Sequence, residues 1–298
     1  MSNLRIGTIV IIACAGVILL ISFGVRSSYG VFLQPVSTDL GWSREIFALT
    51  IALQNLFWGF AQPFAGMIAD RYGSARVIAG GALFFGGGTL LMGYATTPLT
   101  AHIGAGFLVG VGMAGCGFST VLAAVGRSVA SEWRSMALGV ASAGGSLGML
   151  VMVPLGQAFI DSVGWSLALV YLAAFSLLMV PLASALAGKP AAPAASHDQT
   201  IIESLREAAN HNGFLFLNAG YFVCGFHVTF IITHFPAYVV DLGLGANVGA
   251  WAIGIVGIVN VVSALGAGAL GDKFNKKYVL STLYLCRAGA IAIFMMSP

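Results

Sequence analysis

Apolar stretches of about 20 residues or more follow one another along the whole chain, and this recurrence leaves few folds open. A helix of that length crosses the hydrocarbon of a bilayer, where every backbone amide and carbonyl must find its partner within the protein. Only helices and closed barrels meet that condition, and the period-two alternation of barrel strands is absent. Only 8% of the 298 residues are charged, where a soluble domain would carry about 25%. The expected fold class is therefore all-α integral membrane.

The spans are expected at residues 6–33, 45–69, 77–97, 101–126, 136–160, 165–187, 213–240, 248–270 and 278–298, about nine in all. The first is too long for a cleaved signal peptide, and no small-x-small site leads from it into a soluble domain. Gly106 with Gly110, and Gly144 with Gly148, form small-residue faces that let helix backbones approach closely. Cys14, Cys116, Cys224 and Cys286 fall within spans without metal-ligand spacing, so they are expected to be buried small hydrophobes. No metal or cofactor is expected.

The basic residues orient the chain. With the N-terminus inside, cytoplasmic segments hold Arg5, Arg71, Arg76, Arg127, Arg134, Lys189, Arg206, Lys273, Lys276 and Lys277, whereas the outer loops hold only Arg44. The net charge of +3 is thus a topology signal and gives no reason to expect nucleic-acid binding. A multi-pass protein of the bacterial inner (plasma) membrane with a cytoplasmic N-terminus is expected.

Residues 188–212 interrupt the pattern. Gly188-Lys189-Pro190-Ala191-Ala192-Pro193-Ala194-Ala195-Ser196 has the composition of a linker. Thr200-Ile201-Ile202-Glu203 follows as a capping box, opening a short amphipathic helix through about Asn210. The expected organisation is a six-helix bundle over 1–187, a cytoplasmic linker over 188–212, and the first three helices of a second bundle over 213–298.

The two sides repeat. Asp39-Leu40-Gly41 returns as Asp241-Leu242-Gly243, and Asp70-Arg71 returns as Asp272-Lys273, both 202 residues later (241 − 39 and 272 − 70). Pro35 and Pro236 differ by 201. Parallel repeats of this kind occur in transporters whose substrate site lies between two similar halves. A second half of equal length would add three spans, so the chain is expected to be a C-terminally truncated piece of a longer protein.

Within this repeat Arg26 lies nine residues before Pro35, and His227 lies nine before Pro236. An ionisable side chain inside hydrocarbon costs about 2.5–3.5 kcal/mol on insertion scales and usually faces a protein-lined path. Arg26 lies about 10 Å inside Leu33 at the helical rise, and its planar fork suits a carboxylate. Snorkelling to the interface is the structural alternative. His227 and His234 share a helix face, and a histidine can carry a proton near neutral pH. A hydrogen-bonded packing role is the alternative for both. Arg287 lies near mid-membrane and suits an ion pair as well as a ligand. Tyr29, Gln54, Asn55, Gln157, Tyr221 and Asn260 are further polar groups in spans, able to line a cavity or to join helices. Tyr29, Asn55 and Asn260 are the candidates placed beside Arg26 and His227. No H-E-x-x-H, paired carboxylates or nucleophile–base set is present, so no enzyme is expected.

Between the second and third spans stands Gly66-Met67-Ile68-Ala69-Asp70-Arg71-Tyr72-Gly73-Ser74-Ala75-Arg76. It resembles the G-x-x-x-D-R-x-G-x-x-R signature of the major facilitator superfamily at every position. Gly268-Ala269-Leu270-Gly271-Asp272-Lys273-Phe274-Asn275 is a degraded echo. Asp70, at a helix C-terminus, should seek a cation, and Gly73 permits a tight turn. The resemblance implies a gate formed by Gly66, Asp70, Arg71, Gly73 and Arg76, with Asp272 and Lys273 in the second copy.

Leu40-Gly41-Trp42-Ser43-Arg44, Glu132-Trp133-Arg134-Ser135-Met136-Ala137-Leu138-Gly139 and the stretch from Gly225 to Pro236 resemble the bacterial monocarboxylate and oxalate:formate-type branch. The eighth span departs from that branch in carrying no charged pair. The resemblance implies two bundles working by alternating access on a small organic anion, by proton symport or anion exchange. Arg26 would hold the charge, with His227 or His234 as proton carriers. An exporter of hydrophobic or drug-like compounds is one alternative, and a non-transporting receptor or inactive fragment is another. The missing Asp or Glu within the spans weighs against export of cationic drugs.

Overall fold

The computed structural model describes residues 6–187 and 201–296. The Gly188–Ser196 run and Thr200 lie outside the described residues. Helix α1 is Ile6–Asp39, α2 is Arg44–Tyr72, and α3 is Ser74–Gly93. The next rod, α4, covers Pro98–Ser128, and a 54-residue apolar stretch then runs from Trp133 to Leu186. It is two rods, α5 (131–163) and α6 (165–186), folded at Gly164, whose φ of 80° is a backbone state that a side chain disfavours. Then come α7 (Ile201–Asn210), α8 (Asn212–Asp241), α9 (Ala246–Lys273) and α10 (Lys276–Met296). Seven stretches among the described residues are long and apolar enough to span a bilayer. The fold at Gly164 and the more polar α2 bring this to the nine rods expected.

The helices extend beyond the expected spans at most ends, because polar residues finish the turns that apolar residues begin. The third instead ends early, at Gly93, where Tyr94 leaves the helix with φ of −106°. The rod α4 is irregular. It starts from a Thr97 capping box, winds as a π-helix over His102–Leu108, and breaks at Gly117 before resuming at Phe118.

Close backbone contact sets the packing. A Cβ on Gly148 of α5 would lie 2.2 Å from the Leu20 carbonyl oxygen of α1, and one on Gly144 would lie 2.2 Å from that of Gly16. Gly110 of α4 faces the Gln54 carbonyl of α2 in the same way, at 2.6 Å. The expected small-residue faces therefore join α5 to α1 and α4 to α2. Cys116 is buried as expected, but Cys286 is exposed and Cys14 and Cys224 are half-buried. Cys14 packs at the edge of the core, and Cys224 faces Arg287 of α10.

The segments 6–187 and 212–296 meet along two seams. Gly30 of α1 abuts α8 so closely that a Cβ would lie 2.0 Å from the Ile232 carbonyl oxygen. Gly257 and Gly254 of α9 pack on Ser146, Leu150 and Pro154 of α5. At the end of the molecule carrying Asp39 and Arg44, Arg44 donates to both carboxylate oxygens of Asp241, at 2.6 and 2.7 Å. Asn247 donates to Asp161 at 3.2 Å nearby. Towards the other end, most of α8 from Asn212 to Phe226 is exposed.

Candidate functional site

Arg26 sits on the face of α1 that carries Tyr29 and Gly30, and only 9% of it is exposed. Its Nη2 donates to the Asn55 carbonyl oxygen at 2.6 Å, and its guanidinium carbon lies 5.0 Å from the Trp58 ring centroid. Asn55 and Trp58 are three residues apart on α2 and so present one face. The Asn55 amide nitrogen donates to the Ile51 carbonyl at 2.7 Å, which turns its oxygen towards the arginine. Ring and amide hold the cation without neutralising it. Arg26 Nε is buried and has no hydrogen-bond partner, and among the described residues no carboxylate forms an ion pair with this arginine. A buried charge with neutral partners alone is expensive, so the arrangement favours an incoming anion.

The guanidinium borders a narrow cavity lined by Arg26, Tyr29, Gly30, Ile51, Gln54, Thr229, Ile232 and Thr233. About 10 Å³ of it is open to a water-sized occupant, which is room for roughly one water. Tyr29 donates to Thr89 at 3.2 Å and Gln54 to the Ala105 carbonyl at 2.8 Å, tying the walls to α3 and to the π-turn of α4. That turn also places His102 Nδ1 2.8 Å from the Thr50 hydroxyl. Beyond the Gly30–Ile232 contact lies a wider cleft of about 410 Å³, whose lining includes Gln34, Thr38, Asp39, Gln157, Val240 and Ala246. Gly30 borders both spaces, so its contact with Ile232 is the constriction between them.

Among the sequence candidates, Arg26, Tyr29 and Asn55 come together. His227 and Asn260 do not line this cavity. His227 is half-buried with a buried, unpartnered Nδ1, and Asn260 is exposed. The His234 ring lies 4.9 Å from that of Phe230. Gln157 donates to Asp161, and Tyr221 is exposed. Arg287 donates to Cys224 Sγ at 3.1 Å and lies over the Tyr284 ring. Sequence reasoning passed over Trp58, Thr229 and Thr233. The Asn55-x-x-Trp58 spacing on a polar helix face was the available signal for the first. No local pattern marks the threonines.

At the opposite end, Asp70 accepts from Arg127 at 3.1 Å, and Arg127 also donates to the Ser74 hydroxyl. Arg76 donates to the Tyr72 carbonyl at 3.0 Å, while Arg71 lies over the Tyr72 ring at 5.4 Å. Gly73 takes φ of 93° at the turn, and its N–H bonds the Ala69 carbonyl. Gly66 has open space around it. The cation that meets Asp70 thus comes from α4, where sequence reasoning saw Arg127 only as an orienting charge. Asp272 and Lys273 end α9, and their side chains lie outside the described residues.

The family model for the Major Facilitator Superfamily matches residues 15–298. Monocarboxylate transporter 11 of Mus musculus is 25% identical over 262 residues, covering 85% of this chain and 57% of that protein. The oxalate:formate antiporter of Oxalobacter formigenes is 23% identical over 278 residues, covering 91% and 65%. The chain spans a little over half the length of the first of these relatives. Among solved structures, a bacterial homolog of the human lysosomal transporter Spinster, inward-facing and occupied, superposes with a TM-score of 0.72 at 17% identity over 93% of this chain and 64% of that one. The D-xylose-proton symporter does so with a TM-score of 0.64 at 13% identity over 91% and 70%.

Proposed function

The chain belongs to the Major Facilitator Superfamily, and we propose that it serves the transport of a small organic anion by alternating access between two bundles, 1–187 and the one begun by 213–298. One observation carries the reading: Arg26 is buried in a cradle of Asn55 and Trp58 that leaves its charge uncompensated and its Nε free. A carboxylate supplies the charge and the acceptor that Arg26 lacks. The narrow cavity favours a small acid, since pockets that take drug-sized ligands run to about 300–1,000 Å³. That the relatives are named for monocarboxylates and for oxalate and formate supports the same class.

In this reading the Arg44 end is extracellular and the Asp70 end cytoplasmic, following the bias of the basic residues in a bacterial inner membrane. The Arg44–Asp241 pair and the Gly30–Ile232 contact close the outer side, as in an inward-facing state. A substrate entering the narrow cavity shifts α8 away from α1, which links occupancy to the change of access. The coupling ion is a proton, carried by His227, His234 or the acid itself, or else a second anion is exchanged. Asp70, Arg71, Arg76 and Gly73, with Arg127, form the cytoplasmic gate.

Uptake of labelled formate, acetate and oxalate into proteoliposomes under an imposed pH gradient tests the transport reading, with Arg26→Gln expected to abolish it. Uptake unchanged by Arg26→Gln removes Arg26 from the site. Asp70→Asn is expected to change turnover while leaving substrate affinity near its native value. A large affinity loss at native turnover removes the gate assignment.

A further inference from the structure

Thr50 and Thr89 show what a helical threonine ordinarily does in this chain. Each hydroxyl donates to the carbonyl four residues before it, Thr50 to Ile46 and Thr89 to Phe85, both at 2.9 Å. Thr229 and Thr233 of α8 do not. Both line the cavity beside Arg26, and neither hydroxyl has a hydrogen-bond partner among the described residues. Thr233 is only 5% exposed and lines the cavity. A hydroxyl that borders the cavity and is not bonded to its own helix is free to meet an oxygen of a ligand.

Their placement follows from the seam. Gly30 lets the Ile232 backbone press onto α1, and Arg26 lies one turn from Gly30 on the same helix face. Thr233 adjoins that contact in sequence, and Thr229 lies one turn from Thr233. Residues four apart on a helix stand about 5–6 Å from each other. The cavity thus has a cation on the wall from α1 and two uncharged hydroxyls on the wall from α8. A hydroxyl donates to an oxygen or accepts from an O–H, and it adds no charge.

From this we propose that Thr229 and Thr233 are specificity-determining residues that read an oxygen-bearing substituent beyond the carboxylate held by Arg26. The proposal rests on the anion reading of Arg26. Each half of the molecule then recognises a different part of one small acid, and a fully oxygenated ligand ties α8 to α1 more firmly than a bare carboxylate does.

Acetate and glycolate differ by one hydroxyl and make the test. Binding of each is measured on the full chain, purified in detergent, by ligand-dependent thermal stabilisation. The native protein is expected to prefer glycolate by about tenfold, the worth of one well-made neutral hydrogen bond. Thr229→Val and Thr233→Val keep the side-chain shape, and the double variant should lose the preference while holding acetate affinity within about twofold. Thr233→Ser, with the hydroxyl restored, should retain it. Equal binding of the two acids by the native chain, or a preference that survives in the double variant, overturns the proposal and leaves Arg26 in place. An equal loss of both acids in the valine variants overturns it too, by showing a packing role. If the native chain binds neither acid, the anion reading itself falls, and this proposal with it.

Discussion

Helices α1 and α8 are equivalent in the repeat, and their closing turns match in backbone detail. Gly41 and Gly243 follow Asp-Leu with φ of 65° and 80°. In each turn an amide reaches the carbonyl five residues back, Trp42 to Ser37 at 2.9 Å and Leu244 to Val239 at 3.2 Å, the bond of a Schellman motif. Both helices carry a proline inside, Pro35 and Pro236. The side chains then part company. Asp39 accepts from the Trp165 indole at 2.7 Å, inside its own half. Asp241 accepts the Arg44 fork, across the seam between halves. Arg26 is buried against α2, whereas His227 is half-buried away from the Arg26 cavity. A repeat therefore copies the local backbone, and the neighbours of each copy decide what its side chains do.

The sharpest way to break this contrast is to treat Arg26 and His227 alike. Arg26→Gln is expected to weaken binding of a small carboxylate by about a hundredfold, as loss of a charged hydrogen-bonding partner does. His227→Gln should change it by less than about threefold, the range of a residue outside the contact. Thermal-shift titration compares the two, and a His227 effect as large as that of Arg26 would restore the symmetry the structure denies.

A smaller effect is expected from the glycines. Gly30→Ala sets a methyl group against the Ile232 carbonyl and should push α8 off α1, whereas Gly225→Ala meets open space. Cross-linking of Arg44→Cys with Asp241→Cys reads the separation. The yield should fall with Gly30→Ala and stay near its starting value with Gly225→Ala. Equal yields would show that the α1–α8 seam does not depend on Gly30.

The least change is expected at the aspartates. Asp241→Asn removes an ion pair across the seam and should raise labelling of a Gln34→Cys thiol in the outer cleft, while Asp39→Asn should raise it less. Water and salt screen an exposed pair, so the difference should shrink at high ionic strength. A larger response to Asp39→Asn would mean that the Trp165 contact, and not the cross-seam pair, holds that end closed.

Much of the architecture was legible because a bilayer leaves little choice. Long apolar runs must become helices, and each run carries its own evidence. The turn at Gly73 was legible for a similar local reason, since only glycine takes positive φ without strain, whereas the positive φ of Gly41, Gly164 and Gly243 emerged only with the structure. The partners of the polar residues were another matter. Nothing near Asp70 announces Arg127, which lies 57 residues away on α4. Nothing near Thr233 announces that its hydroxyl stays unbonded beside Arg26, because that depends on how closely Gly30 lets α8 approach. His102 meets Thr50 where α4 winds as a π-helix, 52 residues away in sequence, and Cys286 is exposed although its span is as apolar as α8. The sequence alone thus determined the spans, their repeat and the turns that close them, all set by interactions within a few residues. Tertiary structure decided which charges are paired and which are buried among neutral groups alone, because those contacts arise only where helices distant in sequence are pressed together.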